Sequence, residues 1–317
     1  MNEPIYLPMA RSALDRDYLS RKLDNLYGQL DADEQTKVLP IYKGKVLLVG
    51  GSGSPKPQLK LFSANEIPSH TYLAYLGKAL GGHELAEGSS VVLALLDDEV
   101  AAQLEPNTDN WHVLRRTGAG LSDLGIGLYA QALALSNWHQ NHEFCPKCGS
   151  STEIIQAGWV RRCPVDELEL YPRTDPAIIV SVIDDQERIL LGSQGIWEEN
   201  RWSILAGFVE PGESLEAAVV REMQEESGLR VVDPVYLGSQ AWPFPYSLMV
   251  GFTAKLAPES EGLLQPDGEE IEKLRWFSRE DIAREAKQLL LPGRLSISRA
   301  IIEHWFGAEI ISASELS

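Results

Sequence analysis

Apolar residues along this chain keep two periods, and the change from one to the other marks out its elements. Continuous apolar runs at residues 46–49 and 91–96 predict strands in the first half. From about Leu121 to Trp138 the spacing turns helical, with Leu121, Leu124, Leu128, Leu135 and Trp138 on one face, as a core helix requires. Beyond residue 173 short apolar runs return at 178–182 and 189–191, separated by an Asp184-Asp185 turn. A helix then starts at Ser214, a suitable N-cap, carries Leu215, Ala218, Val219 and Met223 on one face, and ends at Gly228. Strands near 248–252 and 274–277 and a last helix near 297–305 follow. Strands interleaved with helices predict α/β layering.

The helix after Ser214 carries more than packing. Glu222, Glu225 and Glu226 stand at i, i+3 and i+4, so three carboxylates share one face. Like charges so placed repel by about a few tenths of a kcal/mol per pair unless a cation lies between them. Mg2+ and Mn2+ are hard cations that take such oxygen ligands. Arg221 and Glu213 are spaced to brace the preceding loop against the helix, and Gly207 and Gly212 bracket a turn. A solvated acidic face explains most Glu-Glu pairs. Here the two glycines, Glu213 and Arg221 fall in register as well, which a solvated face does not require.

Composition bounds the class. The 317 residues are 44% hydrophobic and 23% charged, enough for two domains and a small insert. No apolar run reaches the roughly 20 residues of a membrane span. The first residues lack a signal-like apolar core and the last form no address, so a cytoplasmic location is expected. The net charge of −18 speaks against broad nucleic-acid binding, though not against one nucleotide end held by metal. Three cysteines fit a reducing compartment. They lie as C-x2-C-x14-C, Cys145, Cys148 and Cys163, with Asp166 where a fourth cysteine would complete a zinc ribbon. Aspartate can ligate zinc, so a structural Cys3Asp site and a decayed ribbon with free thiols both stand. His139 and His142 are placed on the exposed end of the preceding helix. The glycine-rich loop 50–55 lacks the GK[ST] of a phosphate loop and reads as a hairpin connection.

The run from Gly207 to Leu229, GFVEPGESLEAAVVREMQEESGL, fills every fixed position of the Nudix box, G-x5-E-x7-R-E-U-x-E-E-x-G-U with U aliphatic. Downstream, Ser239 to Ser247 reads SQAWPFPYS and resembles the SQPWPFPxS signature of the NADH pyrophosphatase branch, with Ala241 for the first proline. The segment Tyr171-Pro172-Arg173-Thr174-Asp175-Pro176, the ribbon before it and Arg116 also match that branch. The resemblance is good from about 114 to 306 and loose before, through Leu14-Asp15-Arg16.

It implies a Nudix α/β/α sandwich over 173–317, a zinc-ribbon-like module over 143–172 and an N-terminal α+β domain over 1–142, itself a diverged relative of the Nudix fold. It implies hydrolysis of the NADH pyrophosphate, NAD+ serving less well, by Mg2+ or Mn2+ on Glu222, Glu225, Glu226, Glu270 and the Ala206 carbonyl. One of Glu222, Glu225, Glu226 and Glu270 would be the base, and Gly207, Glu213 and Arg221 would support the loop. Substrate contacts would come from Arg116, Tyr171, Phe208, Gln240, Ala241, Trp242, Pro243, Phe244, Pro245, Tyr246, Ser247 and Ser298. Of these, Tyr171 would come from the partner of a homodimer, and Ser298 would act through its backbone. Removal of a 5′ NAD cap from RNA, and a noncatalytic nucleotide sensor, are the rival readings. A sensor would be expected to have lost box glutamates, and this chain keeps them.

Overall fold

The computed structural model describes residues 5–51, 54 and 56–315. The expected connection at 50–55 falls partly outside these residues, as do the outermost residues of both termini. The chain divides into two units, one over 9–174 with 242–246 and one over 175–241 and 247 onward together with the first residues.

In the N-terminal unit the strands are β1 (Leu14–Asp15), β2 (Lys37–Ile41), β3 (Lys45–Val49), β4 (Gln58–Leu59), β5 (Phe62–Ser63), β6 (Tyr72–Ala79), β7 (Ser90–Leu95) and β8 (Trp111–Val113). The helices are α1 (Leu26–Ala32), α2 (Asp98–Leu104), α3 (Leu114–Thr117) and α4 (Asp123–Asn141). One sheet runs β1-β6-β7-β2-β5 and another β4-β3-β8. α4 begins two residues later than its apolar period predicts, because Ser122 caps it by accepting from Gly125 N at 3.1 Å. It also runs three residues past Trp138. The ribbon follows as β9 (Glu153–Ile155), β10 (Val160–Arg162) and β11 (Glu169–Leu170), an antiparallel sheet in the order β11-β10-β9.

The second unit contains β12 (Asp175–Ile183), β13 (Ile189–Ser193), β14 (Leu205–Phe208), β15 (Val231–Trp242), β16 (Ser247–Leu256) and β17 (Lys273–Phe277). Its helices are α5 (Leu215–Ser227), α6 (Arg279–Glu285) and α7 (Ile297–Phe306). Its sheet runs β15-β16-β12-β13-β17, with β14 on β12. β12 is apolar at nearly every position because both its faces are covered. Ile178, Val180 and Val182 pack with Ala218, Val219 and Met223 of α5, and Ile179 packs with Ile297, Ile301 and Ile302 of α7. β15 is not signalled in the sequence, because Pro234 and Gly238 hide its period and only two of its twelve residues are buried.

The two units use one pairing scheme. β12 lies parallel to β16 and antiparallel to β14, while β13 pairs β17. Likewise β2 lies parallel to β7 and antiparallel to β5, while β3 pairs β8. Where α5 stands between β14 and β15, the N-terminal unit has only two 3-10 turns, Ala64–Glu66 and Ser69–Thr71. The shared pairing is what a diverged copy without the carboxylate helix would show.

Candidate functional site

The carboxylate cluster is built on α5. Ser214 caps the helix by accepting from Ala217 N at 3.1 Å, and Gly228 ends it in the left-handed region at φ 68°. Arg221 grips the loop: its Nε and one terminal nitrogen each lie 2.9 Å from Glu213, and the same terminal nitrogen donates to Phe208 O at 2.9 Å. Its other terminal nitrogen reaches Glu222 at 2.8 Å and Glu225 at 2.9 Å. The expected brace is present and extends to two of the helix carboxylates. Glu225 is the more exposed of these two, and Glu222 is enclosed.

Gly207 is required by contact. A Cβ there would lie 2.0–2.3 Å from the Glu222 carboxyl group, so no larger residue fits unless Glu222 moves. Ala206 is beside it on β14, paired with Ile179.

Glu226 is 5% exposed, and its Oε2 has no hydrogen-bond partner among the described residues. Burial, reinforced by Glu222, Glu270, Asp267 and Glu225, pushes its carboxyl group up to about 8. Glu222 is raised as well, by burial first, with Arg221 opposing. A buried, unpartnered carboxylate among acidic neighbours is costly as it stands and fits a hard divalent cation. Glu270, remote in sequence, joins the group electrostatically. Its loop is shaped by Asp267, whose carboxylate accepts from the backbone N of Ile271 at 2.8 Å, Glu269 at 3.2 Å and Glu270 at 3.3 Å. Sequence reasoning missed Asp267. The Asp-Gly pair before Glu269 was the available signal, a turn signature.

The other expected residues of this unit take varied positions. Phe208 is 60% exposed. Gln240 is buried, and its Nε2 donates to Leu295 O at 3.1 Å. Ser298 is buried with its Oγ 2.8 Å from Ser203 Oγ, and its backbone N donates to the cap Ser296. Ala241 is exposed near the end of β15, and Ser247 opens β16.

The SQAWPFPYS segment spans the end of β15, a short turn and the start of β16. Two strands enclose a short turn, and by its contacts the stretch Trp242–Tyr246 belongs to the N-terminal unit. The Trp242 and Phe244 rings meet edge to face at 5.0 Å. The Arg115 guanidinium covers both, at 4.3 Å from the Phe244 centroid and 5.3 Å from that of Trp242. Pro243 and Tyr246 are buried and Pro245 is exposed. Asn137 and Asn141 of α4 bond to the turn. Arg116, expected to contact substrate, is exposed on α3; its neighbour Arg115 is the one on the aromatics, a distinction an Arg-Arg pair does not carry. Tyr171 is 61% exposed, its hydroxyl donating to Glu169 at 2.6 Å.

In the ribbon, one potential ligand atom each from Cys145, Cys148, Cys163 and Asp166 lie within 4.8 Å of one another. Two of these separations are 3.4 Å, Cys145 Sγ to Asp166 Oδ2 and Cys148 Sγ to Cys163 Sγ. Zinc–sulfur bonds of about 2.3 Å in a tetrahedron require ligands spaced at about this distance, so the four fit zinc. Glu167 N donates to Cys163 O as Gly149 N donates to Cys145 O, so the two knuckles share one turn. Gly149 has φ 75° and Glu167 has φ 60°, placing a side chain where the backbone favours glycine. His139 is not exposed as expected. It is 3% accessible, with Nε2 2.8 Å from Gly158 O and Nδ1 3.0 Å from Arg161.

Two family models match the chain: the NADH pyrophosphatase zinc ribbon domain over residues 140–171 and the NUDIX domain over 172–297. NAD-capped RNA hydrolase NudC of Mycobacterium tuberculosis is 41% identical over 246 residues, 74% of this chain and 75% of that protein. NAD-capped RNA hydrolase NUDT12 of Homo sapiens is 39% identical over 199 residues, 58% of this chain and 42% of that protein.

Proposed function

The chain belongs to the Nudix hydrolases, in the branch that carries an NADH pyrophosphatase zinc ribbon, and on that premise we propose that it hydrolyses the pyrophosphate bond of NADH. The products are reduced nicotinamide mononucleotide and AMP, with NAD+ a poorer substrate. The observation that carries this reading is Glu226, buried beside Glu222 with one oxygen unpartnered among the described residues, with Gly207 cut back to admit the Glu222 carboxylate. Mg2+ or Mn2+ held by Glu222, Glu225, Glu226, Glu270 and the Ala206 carbonyl would neutralise the diphosphate and activate water. Arg221 keeps Glu222 and Glu225 in place through direct bonds. Glu270 or a box glutamate receives the proton of the attacking water. The segment from Gln240 to Ser247 would bind the dinucleotide, and Phe208 and Tyr171, the latter from the partner of the homodimer, would flank the nicotinamide. Zinc on Cys145, Cys148, Cys163 and Asp166 is structural, and the active species is a cytoplasmic homodimer.

The names of both relatives favour a second reading, in which the same residues remove a 5′ NAD cap from RNA. Release of AMP from NADH and ADP-ribose, and of nicotinamide mononucleotide from NAD-capped RNA, measured side by side with Mg2+ and Mn2+, separates the two. A higher kcat/KM on NADH is expected. Hydrolysis of capped RNA with none of NADH would replace the first reading by the second. No turnover of either substrate with either metal would refute both and favour a nucleotide sensor.

A further inference from the structure

We propose that Asn137, on α4 and outside the residues matched by either family model, is a positioning residue that sets the conformation of the Trp242–Tyr246 turn. This rests on the reading of that turn as the aromatic wall for the dinucleotide.

The turn is short of donors of its own. Pro243 and Pro245 have no N–H, and Phe244 N is already committed to Trp242 O at 2.7 Å. The carbonyls of Pro243 and Pro245 are thus left for a donor from elsewhere, and Pro243 is buried from water. Asn137 Nδ2 meets both, at 3.0 Å and 3.3 Å. One helical turn on, Asn141 Nδ2 donates to Tyr246 OH at 2.8 Å and to Asn137 O at 2.9 Å. The i, i+4 pair therefore holds the turn at its middle and at its end. Arg115 from α3 covers the rings of Trp242 and Phe244. The helix is itself tied to the ribbon through His139, which meets Gly158 O and Arg161.

A buried carbonyl that loses its donor is costly, and this turn can relieve that cost only by moving its aromatic rings. Such movement weakens substrate binding and leaves the carboxylate chemistry of α5 intact. Asn137→Asp separates positioning from space filling, because aspartate has nearly the same shape but cannot donate when ionised and sets a negative charge against two carbonyl oxygens.

The experiment measures kcat, KM for NADH, Mg2+ activation and melting temperature on the full-length protein, with Asn137→Asp, Asn137→Ala and Phe244→Ala alongside. Expected for Asn137→Asp is a KM raised about tenfold, kcat within about twofold, and Mg2+ activation unchanged. Should that variant fail to fold, Asn137→Ala gives the same reading without the added charge. A raised KM in Phe244→Ala beside an unchanged KM in the Asn137 variants overturns the positioning role alone. An unchanged KM in Phe244→Ala overturns the reading of the turn as a substrate wall, and the proposal with it. Losses of kcat and melting temperature together, with KM unchanged, would make Asn137 a stability residue.

Discussion

Glu226 concentrates the physical conflict of the site. A carboxylate with one oxygen unpartnered and four acidic neighbours destabilises the fold, and such groups are retained where charge is needed for function. Glu226→Gln keeps the shape and removes the charge. We expect hydrolysis to fall on the order of a hundredfold or more, while the melting temperature is unchanged or rises. Turnover near wild type at saturating Mg2+ would refute the metal role. Glu222, Glu225 and Glu226 were legible in the sequence because helical spacing alone puts them on one face. Their inequality was not: Arg221 engages Glu222 and Glu225 and leaves Glu226 enclosed, a consequence of tertiary burial.

Among elements, the ribbon and α4 yield two expectations. Glu167 repeats the left-handed turn of Gly149 with a side chain attached, so Glu167→Gly should stabilise the ribbon by about 1 kcal/mol and bind zinc more tightly. Zinc affinity by chelator competition and the melting temperature, with and without zinc, are the measurements; weaker binding in the variant would contradict the strain. A carboxylate in place of a thiolate should also leave the wild-type site weaker than a four-cysteine ribbon.

On α4, His139 is held neutral, its imidazole pushed down to about 4 from an ordinary 6.5, by burial first. The unfolded chain therefore binds more protons between those values. The stability that His139 contributes is complete above about pH 6.5 and declines as pH falls towards 4, by up to about 3 kcal/mol. Melting followed over that range should show the decline, and His139→Gln should flatten it. A wild-type curve no steeper than the variant's would place the titration elsewhere. The period of α4 announced a core helix but not His139's burial, because His139 meets Gly158 and Arg161, residues that sequence spacing cannot bring to it.

For the whole molecule, charge and assembly set the expectations. A net charge of −18 repels the body of an RNA chain and bears far less on a free dinucleotide. Raising salt from about 20 to about 150 mM should lower KM for capped RNA and leave KM for NADH nearly unchanged. A KM for capped RNA that rises steeply with salt would reveal a basic RNA track that the net charge conceals. Tyr171 and Phe208 leave most of their aromatic surface in water, as rings awaiting a substrate or a partner would. Light scattering should give a homodimer at working concentration, and a fully active monomer would refute the cross-subunit role of Tyr171.

The sequence by itself determined whatever depends on spacing along one element. It placed the carboxylate face of α5, its serine cap and glycine end, the Gly207–Glu213–Arg221 register and the two ribbon knuckles. Local geometry converts such spacing into position without help from the rest of the chain. Only the tertiary structure decided what depends on distant segments meeting. It brought Glu270 and Asp267 into the electrostatic reach of Glu226, set Arg115 rather than Arg116 on Phe244, and buried His139 against Gly158 and Arg161. It also closed Asn137 on two proline carbonyls more than a hundred residues away. Burial and the need to satisfy buried polar groups are properties of the folded whole, and no window of sequence contains them.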